Sequence, residues 1–121
     1  MESANMKNYA KGKRRCFAHV VTTGQEQLVA DYFSNLCKEQ DDVLTAQNIE
    51  DITGINKKSL MKLLKSGHIK SLTNIPRYIV PKQYFLDFTA TKRFCNITTS
   101  SARFVSLIKD FEKWKNQHHS S

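Results

Sequence analysis

The stretch Leu44–Gly67, LTAQNIEDITGINKKSLMKLLKSG, constrains this chain more than any other. Two apolar runs at helical spacing each end at a glycine, Gly54 and Gly67. A glycine after a helix accepts the left-handed conformation at no steric cost. Each run also opens on a residue whose side chain can accept from a free helix N–H: Thr45 before the first, Asn56 before the second. The spacing predicts a helix from Thr45 through Ile52, a glycine turn, and a second helix from Asn56 to Gly67. Ile49, Ile52, Ile55, Leu60 and Leu64 would meet between them. Helices this short are marginal alone, so their stability must come from packing.

The second helix carries an unusual charge. With Leu60 at 0°, Leu64 falls at about 40° and Leu63 at about 300°, whereas Lys65, Lys58 and Lys62 fall at about 140°, 160° and 200°. The lysines form a row opposite the apolar stripe, and Met61 borders it. Lys57 and Ser59 lie on the flanks near the helix N-terminus. Like charges three and four residues apart weaken an isolated helix. A lysine row can be a solvated face, but such faces usually interleave both signs, and no Asp or Glu occurs between Lys57 and Ile79. A polyanion along the charged face is the alternative. Two short helices joined by a tight glycine turn are the outline of a helix-turn-helix, in which the N-terminal part of the second helix meets base edges.

Charge distribution agrees. The 121 residues carry a net charge of +8, unevenly spread: +4 over residues 1–23, −4 over 24–43, +6 over 44–93 and +2 over 94–121. With 40% hydrophobic and 25% charged residues, the chain has the composition of a soluble globular protein. No apolar run reaches the ~20 residues of a membrane span, and the first residues lack the apolar segment of a secretory signal. Cys16, Cys37 and Cys95 are odd in number, far apart and without zinc spacing. They read as reduced thiols, and the expected compartment is the cytoplasm.

The flanks follow from their punctuation. Residues 1–15, with KGKRR at Lys11–Arg15, read as a basic flexible arm that adds phosphate contacts without specificity. CFAHVV, Cys16–Val21, is a short β-prone run. Residues 24–39 read as a helix with an apolar stripe of Leu28, Val29, Tyr32, Phe33, Leu36 and Cys37, opened by a capping box of Thr23 and Glu26. After Gly67, HIKSLTNIPRYIVP reads as strand, turn, strand, with Ile69 and Leu72 facing the core and Thr73 and Asn74 forming the turn. Such a hairpin is a wing, with Lys70 and Arg77 placed for a DNA backbone or minor groove. Pro81 suits the first turn of a helix carrying Tyr84, Phe85 and Phe88. Near 101–116, Phe104, Leu107, Ile108, Phe111 and Trp114 mark an amphipathic helix capped by Ser100 or Ser101. Its stripe packs either on the protein's own core or on a partner.

In order, LT at Leu44–Thr45, GIN at Gly54–Asn56, SG at Ser66–Gly67, RY at Arg77–Tyr78 and VP at Val80–Pro81 resemble the excisionase-type winged helix-turn-helix, a relative of the MerR DNA-binding head. The resemblance covers about 45 residues. It implies a winged helix-turn-helix core at 44–90, mainly α with a small β-hairpin wing. The additional N- and C-terminal helices, at 24–39 and near 101–116, depart from minimal members of the family and are expected to complete a single DNA-binding domain at 16–121. It also implies sequence-specific binding of double-stranded DNA, with Lys57, Lys58, Ser59, Met61 and Lys62 at the major groove and Arg77 on the wing; Asn56, Lys65, Lys70 and Asn74 complete the expected site. Members are excisionases of mobile genetic elements, which bend DNA beside an attachment site and direct recombination, or small transcription regulators. Implied partners are duplex DNA, an integrase or recombinase, and further copies of the chain on DNA. Where the family often has arginines this helix has lysines, which lack the fork that reads guanine. Several lysines then hold phosphates, and Asn56, Ser59 or Met61 reads bases.

Catalysis and cofactors find no support in the residues. His19, His68, His118 and His119 are scattered. Asp41 and Asp42 are adjacent but lack further ligands for a metal. No nucleophile motif or phosphate-cradling glycine loop is present. The expectation is a non-enzymatic protein without metal or cofactor. The competing class is a protein-interaction module using the same basic face.

Overall fold

Thr45 and Asn56 cap as their positions demand. The Thr45 hydroxyl accepts from the Asn48 N–H at 3.1 Å, and the Asn48 side chain accepts from the Thr45 N–H at 3.0 Å. The Asn56 side chain accepts from the Ser59 N–H at 2.8 Å. The structure, a computed structural model, describes residues 15–72, 78–99 and 101–119. In chain order it comprises a 3-10 turn at Phe17–His19, α1 (Gln27–Leu36), β1 (Val43–Leu44), α2 (Ala46–Thr53), α3 (Lys57–Lys65), β2 (Val80–Pro81), α4 (Lys82–Thr89), α5 (Lys92–Cys95) and α6 (Ala102–His119). The fold is mainly helical, with one two-stranded antiparallel sheet among the described residues. Among them no helix is long and apolar enough to cross a membrane.

The turn between α2 and α3 leaves few polar groups unanswered. Gly54 has φ +81° and donates to the Glu50 carbonyl at 2.7 Å. The buried Thr53 hydroxyl donates to the Ile49 carbonyl and accepts from the Ile55 N–H. Arg103 Nε of α6 donates to the Ile52 carbonyl at 3.0 Å. Gly54 is needed twice over. Its φ disfavours any side chain, and a Cβ there would lie 2.6 Å from Ser101 Oγ and 2.7 Å from Arg103 Cβ. The N-terminus of α6 therefore rests on bare backbone.

The core is aromatic. Phe17 is fully buried, with ring centroids of Phe33, Phe94, Phe104 and Phe111 between 5.5 and 5.7 Å away. Offset and edge-on rings at this spacing add about 0.5–1.5 kcal/mol per pair beyond area burial. The stripe of α6 lies in this core: Phe104, Leu107, Ile108 and Phe111 are buried and Trp114 packs against them. Of the two readings of that stripe, the own-core one holds. Ser101 caps α6 by accepting from the Phe104 N–H, and the helix runs beyond 116 to His119.

Several expectations are corrected. Cys16–Val21 is not extended, because Phe17–His19 coils into a 3-10 turn that drives Phe17 inward. The Thr23–Glu26 capping box does not form; Glu26 accepts from the Gly24 N–H instead, and α1 starts without a side-chain cap. Leu72 does not face the core, at 64% exposure, whereas Ile69 is buried. Arg15, assigned to the arm, is held in an antiparallel bridge to Thr99. The return strand of the expected hairpin has a different partner: Leu44 pairs with Val80 and Val43 with Pro81. One backbone bond, Leu72 N–H to the Ile79 carbonyl at 2.8 Å, joins the hairpin's two sides. Residues 73–77, the expected wing tip, lie outside the described residues, as do residues 1–14 of the arm. Pro81 directly precedes α4 rather than standing inside its first turn.

Two substitutions test this packing. Leu60→Ala empties a fully buried site and is expected to cost about 2–5 kcal/mol; an unshifted urea midpoint would show that α3 does not face the core. Gly54→Ala is expected to destabilise by more than the ~1 kcal/mol that a left-handed φ alone costs, because α6 must also move. Ser101→Ala removes the nearest clashing atom, so it should cost less in the Gly54→Ala background than in the unsubstituted protein in the same urea titration.

Candidate nucleic-acid interface

The burial of α3 separates cleanly by face. Leu60 and Leu64 are buried and Leu63 is half-buried, while Asn56, Lys57, Lys58, Ser59, Lys62 and Lys65 are all exposed. Lys70, just past the helix, is exposed too. Seven of the ten residues expected at the site thus lie on or at the start of one short helix, six of them exposed. Met61 departs from the expectation: it is half-buried and packs against the core, because its position turns it toward the edge of the apolar stripe. Asn74 and Arg77 lie outside the described residues. The side-chain oxygen of Asn56 is occupied by its cap bond, which leaves the amide N–H groups to face outward.

The structure adds residues that no sequence pattern singled out. One flank of α3 borders a cleft of about 860 Å³. Asn56, Ser59 and Lys62 line it from α3, and Lys92, Arg93 and Asn96 from α5 and the residue after it. The four-residue α5 is fixed firmly. The Thr91 hydroxyl accepts from the Phe94 N–H at 3.1 Å, and Phe94 and Cys95 are buried while Lys92 and Arg93 are exposed. A signal was present in TKRFC, where Thr91 has the spacing of a cap and two cations precede two apolar residues.

Three other cations are engaged within the fold. Lys82 Nζ donates to the carbonyls of Cys37 and Gln40 at 3.0 and 2.9 Å, beyond the C-terminus of α1. A cation suits that end of a helix, where carbonyls lack partners. Lys115 Nζ likewise donates to the Val20 carbonyl, and Arg103 serves the α2–α3 turn. These three are structural. The lysines of α3, by contrast, carry no acidic partner in sequence over the whole interval between Asp51 and Asp87.

Three buried titratable groups are shifted from their ordinary values: Cys37, Cys95 and Tyr32. Among the described residues no group of three His, Cys, Asp or Glu side chains could hold a metal ion. The three cysteines are free and buried. Burial pushes the Cys37 thiol up, opposed by Lys82. Burial, with smaller contributions from Glu26 and Cys16, pushes Cys95 from the ordinary 9.0 to about 11. Thiols so raised are poor nucleophiles. Tyr32 is raised as well, chiefly by burial and then by its 2.6 Å hydrogen bond to Asp110.

The chain matches no protein-family model, and neither curated proteins nor solved structures show a similar protein.

The raised thiol gives a pH signature. The folded protein holds the Cys95 proton more tightly than the unfolded chain. The resulting stability is full below about pH 9 and is lost as pH rises towards about 11. Cys95→Ala should therefore show a shallower fall of the urea midpoint between pH 8 and 10.5 than the unsubstituted protein. Equal slopes would remove Cys95 from the account.

Proposed function

We propose that this protein binds double-stranded DNA in a sequence-specific manner, with α3 as the recognition helix of a winged helix-turn-helix. The observation that carries this reading is the exposed row of Lys58, Lys62 and Lys65, opposite buried Leu60 and Leu64, in a segment without a single carboxylate. The pairing of the segment before α2 with the segment before α4 supports it, because it ties the two helices and the hairpin region into one unit. In this reading the lysines hold phosphates and set register, while Asn56 and Ser59, at the N-terminal end of α3, meet base edges. Lys70 extends the phosphate contacts towards the wing.

The finer role is that of an excisionase-like factor that binds and bends DNA near the attachment site of a mobile element. It rests on the motif order from Leu44 to Pro81 and on the +8 charge, which suits an architectural protein that engages much backbone. A small transcription regulator is the second role that the same motif order carries. Selection of bound sites from random duplexes, followed by footprinting and a bend assay, separates the two. A bent footprint that covers several adjacent sites supports the architectural role; a single unbent operator supports the regulator. No enrichment of any sequence would end the recognition-helix reading.

Lys58→Ala and Lys62→Ala are each expected to weaken binding to selected and random duplexes several-fold and to lower the salt slope by about 1, as loss of one phosphate contact does. Both side chains are exposed, so melting curves should not move. Wild-type affinity in both variants at moderate salt would move the DNA-facing surface away from α3.

A further inference from the structure

The cleft beside α3 has a chemistry of its own. Its cations come from two separate elements, Lys62 from α3 and Lys92 and Arg93 from α5, and no carboxylate is among its described lining residues. Its apolar contribution comes from Ile55, Leu63 and Ile97, and no aromatic ring is among the described lining residues. Three cations brought together without a counter-charge repel one another, and an anion in the cleft relieves that repulsion. A volume of about 860 Å³ is far more than one phosphate fills, which points to a polymeric or extended anion. The described lining residues include no stacking platform of the kind with which proteins hold unpaired bases. It offers aliphatic surface suited to a sugar and cations suited to phosphates. Lys92 and Arg93 are also pre-positioned, since their own short helix is anchored by buried Phe94 and Cys95.

We propose that the cleft between α3 and α5 seats the sugar–phosphate backbone of one DNA strand, with Lys92 and Arg93 as phosphate ligands beside Lys62. The inference rests on the reading of α3 as the DNA-facing helix and extends it. Lys62 belongs both to the outer row of α3 and to the cleft, so the charged surface is continuous from one to the other. A strand that leaves the face of α3 at Lys62 enters the cleft directly. Arg93 presents a planar fork that grips a phosphate with two parallel hydrogen bonds, which lysine cannot do. The interface is then wider than the helix-turn-helix, and α5 is part of it.

Fluorescence anisotropy with the full chain tests this, using a selected duplex and a scrambled one over a range of salt. The paired substitution Lys92→Ala/Arg93→Ala is expected to weaken both duplexes by a similar factor, on the order of tenfold, and to lower the salt slope by about 2. Arg93→Lys, which keeps the charge, should restore most of the slope but not all the affinity. Lys58→Ala serves as the control for α3. If Lys58→Ala weakens binding while the paired variant matches the unsubstituted protein in affinity and slope, the cleft proposal is overturned and the reading of α3 stands. If the unsubstituted protein shows no salt-dependent binding to any duplex, both fall together. If the paired variant keeps duplex binding but loses capture of a poly-glutamate probe, the cleft takes acidic protein, and the proposal is overturned in that case too.

Discussion

The structure turns on the burial of Phe17. It lies in a three-residue 3-10 turn with almost no regular structure of its own, yet its ring meets aromatic rings of α1, α5 and α6. Phe33, its neighbour on α1, reaches Phe85 on α4. One contact network thus joins the N-terminal segment to four of the six helices. The hydrogen bonds that accompany it are long-range: Tyr32 to Asp110, Lys115 to the Val20 carbonyl, Lys82 to the end of α1. The helix pair α2–α3 joins the same core through Ile49, Ile52, Leu60 and Leu64 and is further held by Arg103 and the bare backbone of Gly54.

That arrangement explains how α3 tolerates its charge. Its like-charged neighbours, Lys58 with Lys62 and Lys62 with Lys65, each cost a few tenths of a kcal/mol on an exposed surface. Burying Leu60 and Leu64 contributes roughly 1.5–3 kcal/mol apiece. The inner face wins by a wide margin, so the outer face is free to be chosen for something other than stability. The same division holds in α5, where Phe94 and Cys95 anchor a turn whose other side carries Lys92 and Arg93.

The parts legible in the sequence were those decided locally. Thr45, Gly54, Asn56 and Gly67 bound their helices because capping and left-handed φ depend on one or two residues. The stripes of α1 and α6 were visible because an amphipathic helix repeats its instruction several times. Failures came where tertiary contacts decided. Cys16–Val21 has strand-like composition, but burial of Phe17 among four rings outweighs a propensity worth about 1 kcal/mol at most. Thr23 had the spacing of a cap, but Glu26 found the Gly24 N–H first. Val80 was expected to pair across the hairpin, and its actual partner, Leu44, lies 36 residues earlier. The exposed lysines of α3 were readable from periodicity. Lys92 and Arg93 were not, because α5 is too short to show a period, and only the fold brings it beside α3.

The separation of Phe17 from its partners in sequence has a consequence for biosynthesis. Phe104 and Phe111 are supplied by α6, as is the Arg103 bond that steadies the α2–α3 turn. At a synthesis rate of about 5–20 residues per second, the stretch from Phe17 to Phe111 takes roughly 5–20 s to make. Until α6 is made Phe17 lacks half of its four aromatic neighbours, and α2 and α3 exist only as the marginal helices that such lengths allow. The nascent chain thus emerges with its basic helix formed fleetingly at best, and that helix becomes a rigid, charged surface only after the segment that carries α6 is complete.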